Sequence, residues 1–518
     1  MIRIDWNEVK KKAREFWGEY RRFKIGLIGI GLLVVLVFMA IIPSFIFPPE
    51  TYYNWNNYPG WEYNPRLAPP EWVNWFSAKK YTPPETVKPL KVEGLWQLYA
   101  EVYIKLNNIT DENLIKKVYE VFKQQMAGKG YVYFYEYDFK WDIPSNDLII
   151  VVSNVSTTIK LTLGIQRPAS QYNGQTVNVS FYPAFITTVT PTNRSILIHL
   201  ENSEQLMQVI VKNYISKYED PAILKNATEN NILTATVLSP VTLLFYAPGP
   251  GMIYGQQGVD KGVYRFNITV EAVNGSLEYP PDIKIRVPGS CYGVLGTDFR
   301  GRDIFVGILW GSRVALMIGI TYAVTVVLIG LVYGVVSAYA GGLVDEVMQR
   351  INEVLYSIPL LPFLILFAYT IRQLYGTLSI WHIIGVLIIF AWTGLAIVVR
   401  SMALQIKEQP FVEAARAIGA SSKRIVFKHI LPQLMPYAFA SMALAVPGAI
   451  LIEAGLSFLG LSDPNIPTWG KMIYEAQNSL SSWWWVLSPG LMIAITGMAF
   501  VFIGNALDTI LNPRLRRL

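Results

Sequence analysis

At 518 residues, 52% of them hydrophobic and only 16% charged, the chain departs from the balance of a soluble globular protein and fits that of a membrane protein. Its net charge of +7 does not argue for nucleic acid, because the basic residues crowd beside apolar runs: Lys10, Lys11, Lys12, Arg21, Arg22 and Lys24 at one end, Arg514, Arg516 and Arg517 at the other. A lone Cys291 excludes an intrachain disulfide framework and a cysteine-based zinc site, and His199, His382 and His429 show no metal-ligand spacing.

A helix needs about 20 largely uncharged residues to cross about 30 Å of hydrocarbon. Taken from the N-terminus, residues 1–23 are basic and expected on the cytoplasmic side, and 24–47, "KIGLIGIGLLVVLVFMAIIPSFIF", reads as the first span. No small-residue cleavage pattern precedes its exit, so it is read as an uncleaved anchor. Five further spans are expected at about 314–339, 354–375, 381–402, 434–459 and 485–507. Six crossings return the basic 508–518 to the cytoplasm, and both termini are expected there. The fold class expected is a multi-pass α-helical membrane protein with an inserted β-rich extracytoplasmic domain.

That insertion, residues 48–290, contains no spanning run. By the charge rule it lies outside the cell, and the N-x-S/T sequons at Asn108, Asn154, Asn178, Asn193, Asn226, Asn267 and Asn274 all fall within it, as candidate N-glycosylation sites. Apolar residues alternate with period two in 131–139, 147–152, 157–165, 176–191, 195–200, 263–273 and 282–287, which predicts strands and a sandwich-like domain. Helical spacing is confined to 111–128, with Asp111 near its N-cap and Gly128 at its stop, and to 203–218. The proline-rich 48–72 reads as an extended linker or cover; Trp55, Trp61, Trp72 and Trp75 there could stack on sugars or pack the domain down.

The chain lacks a P-loop, a nucleophile elbow, an H-E-x-x-H motif and a Cys–His pair. Asp298 and Asp303 flank Arg300 and Arg302 in "LGTDFRGRDIF", which reads better as a self-neutralised folded segment than as an acid–base pair. No catalytic residue, metal or cofactor is expected.

Between the fourth and fifth spans lies "FVEAARAIGASSKRIVFKHILPQ". Pro410 can open a helix over 411–418, Gly419 can reverse the chain with positive φ, Ser421 or Ser422 can cap a second helix, and Pro432 is expected to end it. Ala414, Ala415 and Ala417 would keep one side thin enough for another protein to approach, with Glu413 and Arg416 as polar fasteners. An amphipathic helix lying on anionic lipid is the competing reading.

At Glu413, Ala414, Ala415, Gly419, Ile430, Leu431 and Pro432 the segment resembles the EAA loop of ABC importer membrane subunits, placed at 408–432. The strings at 295–316, 453–473 and 504–517 resemble those of the dipeptide/oligopeptide/nickel permease family, in its C-type subunit, with Thr297, Asp298, Gly301, Arg302, Asp303 and Glu453 at matching positions. The resemblance covers about half the chain and leaves the insertion without a counterpart. It implies a type I ABC importer permease fold with a five-helix core over 291–507. Its implied partners are a second permease subunit, two ATP-binding cassette subunits that bind ATP and Mg, an extracytoplasmic substrate-binding protein and the lipid bilayer. It also implies coupling to the ATPase through Glu413, Ala414, Ala415, Arg416, Gly419, Leu431 and Pro432, and uptake of peptides or oligosaccharides. Glu453 either lines the path, holds the loop that follows it or bonds to nearby backbone. The alternative from a different class is a membrane-anchored glycan-processing enzyme or receptor with a large outer domain.

Overall fold

The computed structural model describes residues 14–229 and 238–511, with the backbone alone at 226–229 and 511. Lys10, Lys11, Lys12, Arg514, Arg516, Arg517 and the side chain of Asn226 lie outside the described residues. Contacts divide the chain into a β-rich unit, Gly60–Asp303, and a helical unit formed by Met1–Pro59 with Ile304–Leu518. The segment that carries Asp298 and Arg302 therefore belongs with the β-rich unit, although the sequence placed it at the head of the permease core.

In the β-rich unit the period-two strings form strands because alternate side chains enter one core. In chain order the strands are β1 (Glu85–Val87), β2 (Lys91–Gly94), β3 (Gly130–Phe139), β4 (Ile149–Ser153), β5 (Ile159–Gln166), β6 (Ser170–Tyr172), β7 (Gln175–Val177), β8 (Ser180–Val189), β9 (Ile196–His199), β10 (Gly262–Ala272) and β11 (Asp282–Val287). Besides a small antiparallel pair of β6 with β7, two larger antiparallel sheets result, a four-stranded one in the order β1-β11-β4-β9 and a five-stranded one in the order β2-β3-β10-β5-β8. Their inner faces share one core: Tyr133, Tyr135 and Tyr137 of β3, Leu161 and Leu163 of β5 and Phe266 and Ile268 of β10 meet Ile150 and Val152 of β4 and Ile283 and Ile285 of β11. The phenol of Tyr135 donates to the carbonyl of Ile283 at 2.9 Å, so its polar end is satisfied inside the sandwich.

The 48–72 stretch, expected to be extended, instead winds into short turns at Glu50–Tyr53, Pro59–Tyr63 and Glu71–Trp75. Trp55 and Trp61 are buried there, so neither offers an open face to a sugar, whereas Trp75 is exposed.

The helices used below, numbered along the chain, are α1 (Lys24–Ile41), α2 (Leu95–Leu106), α3 (Glu112–Met126), α4 (Glu204–Ile210), α5 (Ile304–Ala340), α6 (Gly342–Ser357), α7 (Leu360–Tyr375), α8 (Ile380–Lys407), α9 (Pro410–Ala417), α10 (Leu431–Phe458), α11 (Trp469–Ala476) and α12 (Trp483–Leu511). α2 escaped the sequence reading, and α3 begins as expected, with Asp111 accepting from the N–H of Asn113 at 2.8 Å.

Among the described residues, five helices are long and apolar enough to cross a membrane: Lys24–Ile46, Ile304–Ala340, Ile380–Lys407, Ser422–Phe458 and Trp483–Ile510. The span expected over 354–375 is not one straight helix. α6 and α7 meet at 74°, because the residue before a proline is forced out of the helical region and Ile358, ahead of Pro359, is extended at φ −71, ψ 122. α7 alone has 16 residues, about 24 Å of rise, which is short of a bilayer core. α5 lies against α8 and α10, and a Cβ at Gly334 would come within 2.6 Å of the carbonyl oxygen of Ala396, so α5 and α8 touch backbone to backbone.

Candidate functional site

The elbow between α8 and α10 is built from local rules. Pro410 occupies the first turn of α9, where a missing N–H costs nothing, behind Gln409 in an extended conformation. The helix closes by a Schellman motif, in which the N–H of Ala420 bonds the carbonyl of Ala415 and that of Gly419 bonds Arg416, both at 3.0 Å. Gly419 sits at φ +80, the left-handed conformation this closure requires, with nothing within 4 Å of where a Cβ would stand. Ser421 then caps the next turn, accepting from the N–H of Arg424.

That turn does not end at Pro432. Ser422–Arg424 passes into a π segment, Ile425–Ile430, which runs on into α10 with Pro432 in its first turn. The wider turn changes the bonding pattern just ahead of the proline, where its ring and missing N–H would break a regular helix. The elbow is therefore continuous with the spanning helix behind it.

Val412, Ala415, Ile425, Val426, Ile430 and Leu434 are buried in one cluster with Leu331, Val335 and Ala338 of α5 and Val399 and Ala403 of α8. The outward face carries Glu413, Ala414, Arg416 and Ala417, with Phe411 and Phe427 exposed and Ile418 at 87% exposure. The three alanines do not share one side, as the sequence reading had it. Ala415 seats α9 on the helices beneath, and Ala414 and Ala417 face out. Ile418 and Phe411 thus put exposed apolar side chains at the two ends of this outward face.

Beside the elbow, a polar lock ties α5, α6 and α8 together. Arg400 donates from Nε to Asp345 Oδ1 at 2.7 Å and from a second nitrogen to Oδ2, Ser337 hydrogen-bonds the same carboxylate, and Lys407 Nζ donates to the carbonyl of Ala338 at 3.1 Å. The sequence reading missed Asp345 and Arg400, although charges at the ends of apolar spans are the signal that would have found them.

Glu453, on α10 more than twenty residues beyond the elbow, is buried and accepts a hydrogen bond from Ser457 Oγ at 2.7 Å. Ser457 lies 3.5 Å from the hydroxyl of Thr468, which caps α11 by accepting from the N–H of Lys471. Glu453 is thus linked through the Ser457 hydroxyl toward Thr468 in the following loop.

In the β-rich unit, Asp298 and Arg302 form a buried ion pair, Nε to Oδ2 at 2.5 Å, and Asp298 Oδ1 also accepts the N–H groups of Arg300 and Arg302. Gly301, at φ +76, passes close to the carbonyl oxygens of Trp61 and Asn64, and Thr297 bonds Pro65 and Ala68. Asp303 is half-buried and pairs with Thr297 across an isolated β-bridge. These residues fasten a turn and leave no carboxylate free for acid–base work. Burial pushes the Cys291 thiol up to about 12, so it stays protonated and inert. Among the described residues no three His, Cys, Asp or Glu side chains converge as metal ligands.

Residues 327–517 match the family model described as "Binding-protein-dependent transport system inner membrane component". The dipeptide transport system permease protein DppC of Bacillus subtilis (strain 168) is 38% identical over 234 residues, 45% of this chain and 72% of that one. The oligopeptide transport system permease protein OppC of the same organism is 38% identical over 224 residues, 43% and 72% of the two chains. A chain of the MetNI methionine ABC transporter in an inward-facing conformation aligns with 40% of this chain at 19% identity and a TM-score of 0.35. Taken together with its long apolar helices, the match to this family model and the similarity to the two Bacillus subtilis permeases make the chain a multi-pass, non-enzymatic transport subunit that belongs to the permease family of binding-protein-dependent ABC transport systems.

Proposed function

We propose that the chain is a permease subunit of an ATP-driven importer of short peptides, and that its elbow, residues 408–432, receives the force of ATP hydrolysis from a separate subunit. One observation carries this reading: a rigid, buried base under an exposed rim of Phe411, Glu413, Ala414, Arg416 and Ile418, continuous with a spanning helix through Leu431 and Pro432. An element driven by a partner needs both a face to grip and a stiff connection to what must move. The names of the dipeptide and oligopeptide permeases favour peptides over oligosaccharides as cargo. No observation favours the glycan-processing alternative.

In this reading the elbow and both termini face the cytoplasm and the β-rich unit faces outward. The working complex contains a second permease, two ATP-binding cassette subunits holding ATP and Mg, and an extracytoplasmic substrate-binding protein. ATP-driven closure of the cassettes carries α9 with it and shifts the helical unit between inward-open and outward-open populations. The test is purification of the tagged chain from its own membranes, followed by reconstitution and uptake of a labelled peptide with and without ATP. Copurified cassette subunits and ATP-dependent uptake are expected. Recovery of the chain with no ATPase, or uptake indifferent to ATP, overturns the proposal.

A further inference from the structure

We infer that the β-rich unit carries N-linked glycans at Asn108, Asn154, Asn178, Asn193 and Asn274 but not at Asn267, and that those at Asn154 and Asn193 together cover an open sheet edge. The inference rests on the reading that this unit faces outward.

Of the seventeen asparagines in residues 60–303, seven open an N-x-S/T sequon, and of the nine elsewhere in the chain none does. Chance placement would follow the asparagines themselves, so this partition is itself an observation. The fold then sorts the seven. Asn108 lies exposed between α2 and α3 at φ +50, Asn154 exposed after β4 at φ +57, Asn178 exposed between β7 and β8, and Asn193 exposed between β8 and β9. Asn274 is exposed after β10, ahead of Gly275 at φ +78. Each is in a turn or loop, where a transferase can seat the sequon clear of any ladder.

Asn267 is different. It sits mid-strand in β10, paired on one side with Phe134 and on the other with Gly164, half-buried, and its sequon threonine, Thr269, is 7% exposed. A Cβ at Gly164 would overlap Asn267 Oδ1, so this amide lies against the neighbouring strand. It cannot enter a transferase without dissolving the centre of the sheet. The side chain of Asn226 lies outside the described residues and is not assigned.

The pairing of Asn154 with Asn193 gives two of the glycans a purpose. β9 is the terminal strand of the four-stranded sheet. The N–H of Leu200 bonds the carbonyl of Leu148, and in an antiparallel ladder alternate residues turn away from the partner, so Leu197 and His199 direct their peptide groups to the open side. Such an edge templates pairing with a second chain. Asn154 follows β4 directly and Asn193 precedes β9, and the two line one polar concavity with Ser153, Arg194, Ser195 and Tyr279, in which Ser153 Oγ and Ser195 Oγ stand 2.9 Å apart. Two hydrated chains rising from that corner keep a neighbouring molecule off the edge.

The covalent step needs a lipid-linked oligosaccharyl phosphate and a membrane oligosaccharyltransferase of the host. Asn Nδ2 forms a bond to the anomeric carbon, the bond from that carbon to phosphate oxygen breaks, the lipid phosphate leaves with the electron pair, and the Nδ2 proton passes to a base on the transferase.

Glycopeptide mass spectrometry of the full chain purified from its native membranes is the test, with a membrane-impermeant amine label applied to intact cells in parallel. Sugar mass at the five exposed sequons and none at Asn267 is expected. An unmodified chain whose lysines within 60–303 label from outside overturns the inference and leaves the orientation standing; an unmodified chain that does not label overturns the orientation as well. Sugar at Asn267 refutes the sorting by fold. For the shielding role, the Asn154→Gln/Asn193→Gln variant should lose two glycans in mass and gain concentration-dependent self-association in sedimentation. A variant as monodisperse as the native chain refutes the shielding and leaves the modification intact.

Discussion

Replacing Gly419 by valine is the sharpest perturbation of the elbow. The position has φ +80, and a Cβ there would meet nothing within 4 Å, so no neighbour is pushed and the whole effect is conformational. Holding an L-residue in the left-handed region costs about 1–2 kcal/mol, with a β-branched side chain at the upper end. A domain's stability is about 5–15 kcal/mol, so the variant still folds and inserts. Locally, however, about 2 kcal/mol changes the ratio of closed to open turn by about thirtyfold. The Schellman bonds from Gly419 and Ala420 are lost first, and the outward face of α9 loses its fixed angle to the helix behind it. ATP-dependent peptide uptake in proteoliposomes should fall at least tenfold, with the thermal midpoint shifted by only a few degrees, about what 1–2 kcal/mol does to a chain this large. Gly419→Asn, which tolerates the same conformation, should keep most of the uptake. Wild-type transport by the valine variant refutes the reasoning, and so does an asparagine variant as impaired as the valine one.

Two neighbouring alanines should separate packing from docking. Ala415→Leu overpacks a buried site and should cost about 1–3 kcal/mol in thermal unfolding, whereas exposed Ala414→Leu should leave the midpoint alone and weaken copurification of the ATPase subunit. Arg302→Met leaves Asp298 as an unpaired buried charge and should destabilise the β-rich unit by about 3–5 kcal/mol, read by calorimetry of the full chain; an unchanged transition would show that the pair does not hold the turn. The hydrogen bond that His199 Nδ1–H donates to Asp147 Oδ2, at 2.6 Å, holds His199 above its ordinary value against the opposing effect of burial, and Glu201 and Glu62 add to it. Because the folded value is raised, this contribution is complete below about pH 6.5 and is lost as pH rises through the folded-state value. Thermal stability of the β-rich unit should therefore decline as pH rises above about 6.5, and His199→Gln should flatten that slope. At Glu453, glutamine still accepts from Ser457 and should preserve uptake, whereas leucine strands the buried hydroxyl and should cost about 1–3 kcal/mol in unfolding.

The strands were legible because the β-rich unit has one wet and one dry face along most of its length. In β5, for instance, Ile159, Leu161, Leu163 and Ile165 point in, with Lys160 and Gln166 pointing out. α2 was not legible: its face against the sheet is short, with only Leu95 and Ala100 buried, so no apolar stripe of helical period stands out. Five of the spans could be read from length and apolarity alone. The bend at Pro359 was missed because an apolar window of about 20 residues is blind to a backbone restriction at one position. In the elbow, Pro410, Gly419 and Ser421 carried their local geometry in their own chemistry. Pro432 misled, since its usual effect assumes a regular helix ahead of it, and a change of helix type leaves no mark in composition. The lock between Asp345 and Arg400 joins residues far apart in sequence, a relation that only the folded chain contains.

The wide turn at Ile425–Ile430 makes the residue count between elbow and membrane a mechanical setting. Each residue of an α-helix advances its side chains by about 100° around the axis, and a π turn absorbs one extra residue without lengthening the rod in proportion. Deleting one residue from this stretch would force it toward the regular helix that Pro432 disrupts, so the rod behind α9 would kink there and tilt the elbow. Val412 and Ala415 would leave their seat, and the rim would point elsewhere. Between the exposed rim and the spanning helix, the chain thus stores an angle as well as a connection.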